Sequence, residues 1–439
     1  MRLYSPEKLD GLSVYQIFPR QASKKGDLDS AALLLPGVAA LGFDIVYLTP
    51  VHPIGKRNRK GSIGSPYAIA DYREVDPRLG GEPALKRFFD TAHELGLKVL
   101  MDVVFNHTSP DARLVGEHPE WFWKDAQGEP GPRVADWADV ADLDHSAPGL
   151  AEYLIEALLK WINLGADGFR CDVASLVPVE FWIEARRRVE AIKPSLWIAE
   201  SVHPAFLVQM RRAGFSAWSD SELHRAFDLS YDYDGREIIE ETWKGKLSLD
   251  AYLRHLALQE AILPAGAAKL RFLENHDQER AAGRFGRGAR LRNWSLFAML
   301  LPGAFMAYMG EEFAIEKKPN LFEFDPVDWD SGDEAFFAFF KRALTVAKSI
   351  KAEAPLFSVQ TLTEGVVLIE RRGKGSAYAA ILNLDGRSGF IRLAQPIVGG
   401  VIAKAWGQAG EAAEKEDKIV IELFELRKEP LVIRLENRS

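Results

Sequence analysis

Cysteine is almost absent from this chain of 439 residues. Cys171 stands alone, so no internal disulfide can form, and thiol usage leaves the compartment undecided. No stretch approaches the ~20 consecutive apolar residues of a spanning helix, so no membrane span is expected. The N-terminal run Met1-Arg2-Leu3-Tyr4-Ser5-Pro6-Glu7 lacks the apolar core of a signal peptide, and the expected location is cytoplasmic. Positive charge is not in excess. A formal net charge of -8 argues against a nucleic-acid footprint or an anionic-membrane surface. Fixed-period repeats and low-complexity segments are also missing. What remains is the composition of an ordinary globular protein, 47% hydrophobic and 27% charged, with room for one large unit and one small one.

Strand and helix signals alternate over most of the chain. Val14 to Phe18 and Asp44 to Leu48 read as strands, and the helical stretch 31–41 between them should break or restart at Pro36-Gly37. Pro83 opens an amphipathic helix with Leu85, Phe88, Phe89, Ala92 and Leu95 on one face, stopped by Gly96 before a strand from Lys98 to Phe105. Further strands are expected at 167–171, 196–200, 227–231, 269–273 and 304–308, with helices at 148–164, 179–192, 250–263, 291–300 and 334–351. Such βα alternation gives a parallel, right-handed architecture, here a (β/α)8 barrel. From about Pro355 the pattern turns to β-rich runs separated by turn residues, which predicts a C-terminal antiparallel β-sandwich.

Four predicted strands end in polar or ionisable residues. They are Gly168-Phe169-Arg170-Cys171-Asp172, Asp102-Val103-Val104-Phe105-Asn106-His107, Trp197-Ile198-Ala199-Glu200 and Phe272-Leu273-Glu274-Asn275-His276-Asp277. In a parallel barrel all C-terminal strand ends gather at one face, where chemistry sits. Side chains alternate along a strand, so Arg170 and Asp172 share a face while Cys171 takes the other and should be a buried, inert thiol. The guanidinium is expected to hold Asp172 ionised. Two carboxylates working as acid and nucleophile, with a third beside them, are the equipment of glycoside hydrolysis.

In order and approximate spacing these stretches resemble the four signature regions of the α-amylase family, glycoside hydrolase family 13. The similarity runs from Val14-Tyr15-Gln16-Ile17 to Tyr308-Met309-Gly310-Glu311-Glu312. The resemblance implies a barrel formed by residues 1–106 and 149–353, a short inserted B domain at 107–148 after the third strand, and the C-terminal sandwich at 354–439. It implies Asp172 as nucleophile, Glu200 as general acid/base, and Asp277 as the third carboxylate that grips sugar hydroxyls and stabilises the transition state. His107 and His276 resemble the family's sugar-binding histidines. Tyr67 matches the aromatic that stacks under the sugar beside the scissile bond, although Pro66-Tyr67-Ala68 departs from the commoner Gly-Tyr-Asp. Arg170 would contact Asp172, and Asp102 would support Arg170 from below.

Asn106 matches a position that binds calcium in many relatives. Calcium takes about six to eight oxygens, and the short insertion offers few, so the expectation is that no cofactor is required. The implied activity is retaining hydrolysis of α-1,4-glucosidic bonds in maltodextrins or starch-type glucans, with no nucleic-acid or membrane partner. Two other readings stay open. One is a transglycosylase or maltosyltransferase of the same family, since relatives acting on phosphorylated sugars carry a basic stretch like Lys56-Arg57-Asn58-Arg59-Lys60. The other is a non-catalytic member of the same fold serving as a binding subunit.

Overall fold

The computed structural model describes residues 3–134, 136–403, 418–426 and 428–435. Eight parallel strands close into a barrel: β1 (Ser13–Ile17), β2 (Ile45–Leu48), β3 (Lys98–Val103), β6 (Gly168–Cys171), β7 (Leu196–Ala199), β8 (Leu229–Tyr231), β9 (Ala268–Arg271) and β10 (Ala304–Tyr308), with β1 pairing both β2 and β10. The short strands β4 (His107–Thr108) and β5 (Ala141–Asp142) pair antiparallel and form the base of the excursion after β3. Proline punctuates the chain as expected. A 3-10 turn at Ala32–Leu34 precedes the helix Leu35–Leu41, which takes Pro36 in its first turn, where its missing N–H costs nothing.

Alternation along each strand sorts its side chains into two layers. Val14, Ile45, Tyr47, Leu100, Leu196, Ile198, Leu229, Tyr231, Leu270 and Met306 fill the barrel interior. Residues of the other parity, among them Val46, Val99, Phe169, Cys171, Trp197 and Phe305, pack outward with the apolar faces of the helices. Asp102, Arg170, Asp172 and Glu200 carry the parity of Leu100, Leu196 and Ile198. They therefore continue the inward-facing rows beyond the apolar layers at the C-terminal ends of β3, β6 and β7. Register brings Asp102 opposite Arg170 across the β3–β6 pair.

Gly168 is required where it stands. Its φ is +152°, and a Cβ there would come within 2.0 Å of the Leu196 carbonyl oxygen. A side chain would push β6 off β7, and with it Asp172 away from Glu200.

The C-terminal strands β11 (Leu356–Thr363), β12 (Val366–Arg372), β13 (Ala377–Asn383), β14 (Phe390–Ala403), β15 (Lys418–Glu425) and β16 (Leu431–Leu435) hydrogen-bond as one antiparallel sheet in the order β11-β12-β13-β16-β14-β15. Its two faces are both apolar. Val367, Ile369, Ala380 and Leu382 join the core shared with the barrel helices, while Val366, Leu368, Ile381 and Ile433 form a separate cluster. Charged contacts fix the junction: the buried Arg371 donates to Asp10 at 2.7 Å and to the Leu300 carbonyl at 2.8 Å. No helix among the described residues is long and apolar enough to cross a membrane.

Candidate active site

Three backbone hydrogen bonds set the upper ends of β6 and β7. The Asp172 amide donates to the Val103 carbonyl at 2.9 Å, that of Glu200 to Cys171 at 3.0 Å, and that of Ala174 to Glu200 at 2.9 Å. Between Asp172 and Ala174 the chain turns through Val173, whose φ of 41° is left-handed. A β-branched residue is strained there by roughly 1–3 kcal/mol. The strain is tied to the site, because the Val173 amide points at Glu200 Oε2, 2.9 Å away.

One guanidinium organises the acids. Arg170 Nη1 donates to Asp172 Oδ1 at 2.8 Å and to both Asp102 oxygens at 2.8 and 2.9 Å. Its Nη2 lies 2.7 Å from Glu200 Oε1, an ion-pair approach outside good hydrogen-bond alignment. Asp102 also accepts from Tyr47 at 2.5 Å and Tyr67 at 3.0 Å, and burial holds both phenols protonated, well above their usual range. Asp102 thus supports Arg170, as expected.

The charge state of Asp172 differs from the sequence expectation. Burial pushes its pKa well above the usual carboxylate range, and the neighbouring Glu200 charge adds to the rise; Arg170 opposes both and loses. Burial likewise raises Asp102, to about 6, against the pull of the same arginine. Burial is the larger cause, and the count of charges adds to it. One positive charge faces three carboxylates in a site shielded from water, so Arg170 cannot hold all of them ionised.

His276 lies on the other side of this cluster. Gln16 Nε2 approaches its Nδ1 at 2.7 Å, and Tyr67 Oη approaches its Nε2 at 2.5 Å, with the two rings stacked 5.3 Å apart. Burial, helped by Arg170, drops the His276 pKa to about 3, so the ring is neutral. An amide nitrogen can only donate. Nδ1 therefore accepts from Gln16, Nε2 carries the proton to Tyr67, and Tyr67 donates on to Asp102. Asp277 Oδ2 sits 3.1 Å from the same Nε2, and its side chain is 39% exposed, against 7% for Asp172 and 12% for Glu200. His107 is buried, with a pKa lowered chiefly by that burial, and leans on Trp137 of the excursion with ring centroids 5.8 Å apart.

The Asn106 side chain is engaged by a guanidinium. Its Oδ1 accepts from Arg133 Nη2 at 2.5 Å, and Arg133 Nε also pairs with the buried Asp142 at 2.8 Å. A guanidinium already supplies the positive charge that a metal would bring, and it takes up the oxygens. Nothing in the pattern of residues 107–148 pointed to Arg133, because its partners lie 27 and 9 residues away.

Three other contributors escaped the sequence reading. Gln16 fixes the tautomer of His276, Trp137 backs His107, and Lys318 donates to the Asp277 carbonyl at 2.7 Å. Only Gln16 had a signal, as an inward-facing polar residue near the end of β1.

The basic loop is largely engaged in structural contacts, some within itself and some to the excursion after β3. Lys60 pairs with Asp139 at 2.8 Å, and Arg59 donates to the Gly55 carbonyl at 2.9 and 3.1 Å; Lys56 and Arg57 are exposed.

An eight-stranded parallel barrel with a carboxylate triad gathered at its C-terminal face defines the general class of barrel enzyme site. Residues 16–138 and 117–353 match the family model of the α-amylase catalytic domain. The chain belongs to that family. Among solved structures, an α-amylase from Lactobacillus plantarum is 36% identical, covering 98% of this chain and 100% of its own, with a TM-score of 0.90. A noncanonic maltogenic α-amylase from Thermotoga neapolitana is 30% identical over 98% of this chain and 99% of its own, with a TM-score of 0.83. An α-1,4-glucan:maltose-1-phosphate maltosyltransferase from Salinibacter ruber is 34% identical over 241 residues, 48% of this chain. The aligned part is 36% of that curated relative's length.

Proposed function

We propose that this chain is a retaining glycoside hydrolase that cleaves α-1,4-glucosidic bonds of maltodextrins and related α-glucans in the cytoplasm. The observation that carries the reading is the shared grip of Arg170 on Asp172 and Glu200, at 2.8 and 2.7 Å from its two terminal nitrogens. Carboxyls held by one guanidinium suit the separation of about 5–5.5 Å used by retaining enzymes, rather than the wider gap that admits a water in inverting ones.

In this mechanism Glu200 acts as the general acid and delivers a proton to the glycosidic oxygen. Asp172, hydrogen-bonded to Arg170, attacks the anomeric carbon, and the bond to the leaving sugar breaks as the glycosyl ester forms. Glu200, now a carboxylate, takes a proton from water, which attacks the same carbon and frees Asp172 with retention of configuration. Asp277 and the neutral His276 bind sugar hydroxyls whose interactions strengthen as positive charge develops in the ring. Tyr67 and His107 hold the sugar in place, and residues 107–148 act as a small inserted domain beside it. No metal enters the scheme.

The transferase alternative draws support from the maltosyltransferase relatives. The engagement of Arg59 and Lys60 in structural contacts leaves only Lys56 and Arg57 to meet a phosphate, which favours hydrolysis. A product profile on maltoheptaose, with and without inorganic phosphate or maltose 1-phosphate, tests the choice. Free maltodextrins should appear at the same rate under all conditions. Products dependent on the phosphorylated donor, lost in Lys56→Ala/Arg57→Ala, would replace the hydrolase reading with the transferase one.

A further inference from the structure

We propose that the cleft is walled on its glycone side, so that the enzyme acts from the non-reducing chain end and does not cut within a polymer. The inference rests on the hydrolase reading above. Polarity follows from the acids. Glu200 protonates the leaving oxygen, so the leaving sugars extend past β7. Tyr67 contacts Asp102 and His276 and, in the role that the hydrolase reading gives it, lies under the retained sugar. A chain entering as glycone must pass Tyr67 and then the loop that precedes it, residues 54–66.

That loop is tied on both flanks. Toward the excursion, Asn58 donates to the Ala138 carbonyl at 3.1 Å, and Lys60 reaches Asp139 at 2.8 Å and the Asp136 carbonyl at 3.1 Å. Asp139 is only 6% exposed along its side chain, so this ion pair is half-buried and not a fluctuating surface contact. Asn58 holds a left-handed φ of 56°, a conformation asparagine adopts more readily than most residues. Toward the segment after β10, the Ile63 and Gly64 amides donate to the Phe322 carbonyl at 3.1 and 3.2 Å, and the Ser62 amide to Glu323 at 2.8 Å. Arg20, just past β1, clamps the same seam, donating to the Gly64 carbonyl at 3.1 Å and the Leu321 carbonyl at 2.5 Å.

In barrel order β10, β1, β2 and β3 are consecutive neighbours. The bonded segments that follow these four strands therefore make a continuous rim along one half of the C-terminal face. Trp137, two residues from Asp139 in the excursion, carries this rim up to His107. The floor is correspondingly recessed: Asp172 and Glu200 are 7% and 12% exposed along their side chains, as at the bottom of a pocket. A polymer threading through an open groove would need an exit where these loops join.

The test compares maltoheptaose with the same oligomer blocked at its non-reducing end by a bulky acetal. The expected result is at least about tenfold faster cleavage of the unblocked oligomer, with one short product size dominating at early times. In Asn58→Ala/Lys60→Ala, with folding checked by its melting transition, the blocked-to-unblocked rate ratio should rise several-fold as the wall loosens. Equal wild-type rates on both oligomers, or a spread of early product lengths, would overturn the wall. So would a folded double variant with an unchanged ratio. Failure to cleave either oligomer would instead remove the hydrolase reading beneath it. Should the variant not fold, the wild-type comparison decides alone.

Discussion

Arg170→Met is the perturbation that most exposes how the site is balanced. Arg170 is fully buried and faces Asp102, Asp172 and Glu200, whose side chains are 0%, 7% and 12% exposed. Methionine keeps much of the volume and removes the only cation among the named contacts. Stranding a buried charge by deleting its partner costs about 3–5 kcal/mol, and at about pH 8 the variant should be less stable by that amount. The deficit should depend on pH. Asp102 and Asp172 have folded pKa values above their unfolded ones, so the stability tied to them is present at low pH and lost as pH rises through the folded value, about 6 for Asp102. Removing Arg170 raises those values further and deepens the loss on the alkaline side. Toward pH 5 Asp102, with its folded value at about 6, takes up a proton in both proteins, and the deficit should shrink. Urea unfolding of wild type and variant across this range provides the measurement. A deficit that stayed constant from pH 5 to 8, or grew toward acid, would refute the charge balance drawn for the cluster.

Glu200→Gln should cut hydrolysis of maltodextrins by several orders of magnitude but lower turnover of an activated aryl maltoside far less, because that leaving group needs no proton; equal losses would remove Glu200 as the acid. His276→Gln should weaken kcat/KM yet leave the acid limb of its pH profile in place, since His276 stays neutral down to about pH 3 and the raised carboxyl of Asp172 sets that limb. Arg133→Ala should lower stability by about 3–5 kcal/mol by stranding the buried Asp142, whereas a chelator should not shift the melting temperature of the wild type.

The barrel was legible because its signals are local and repeat. Strand parity separates Val46 from Tyr47 and Cys171 from Arg170, and the same parity carries Asp102, Arg170 and Glu200 inward. Charge states were not legible. The sequence shows Arg170 two residues from Asp172, but Asp102 and Glu200, 68 residues before and 30 residues after Arg170, share the same guanidinium, and burial then outweighs it. Asn106 illustrates the same limit, since the competitor for its oxygen, Arg133, sits in an excursion without periodic pattern. In sequence the basic run 56–60 resembles a stretch carried by relatives acting on phosphorylated sugars. Lys60 instead ties two loops together, a role fixed by where residue 139 arrives in space rather than by any motif.

The central claim is that Asp172 forms the covalent bond to sugar. It is tested by incubating the enzyme with a fluorinated maltosyl fluoride whose glycosyl ester forms but hydrolyses slowly, followed by peptide mass spectrometry. The glycosyl mass should appear on the peptide containing Asp172 and vanish in Asp172→Asn. Label on Glu200 or Asp277, or a first product of inverted anomeric configuration, would contradict it.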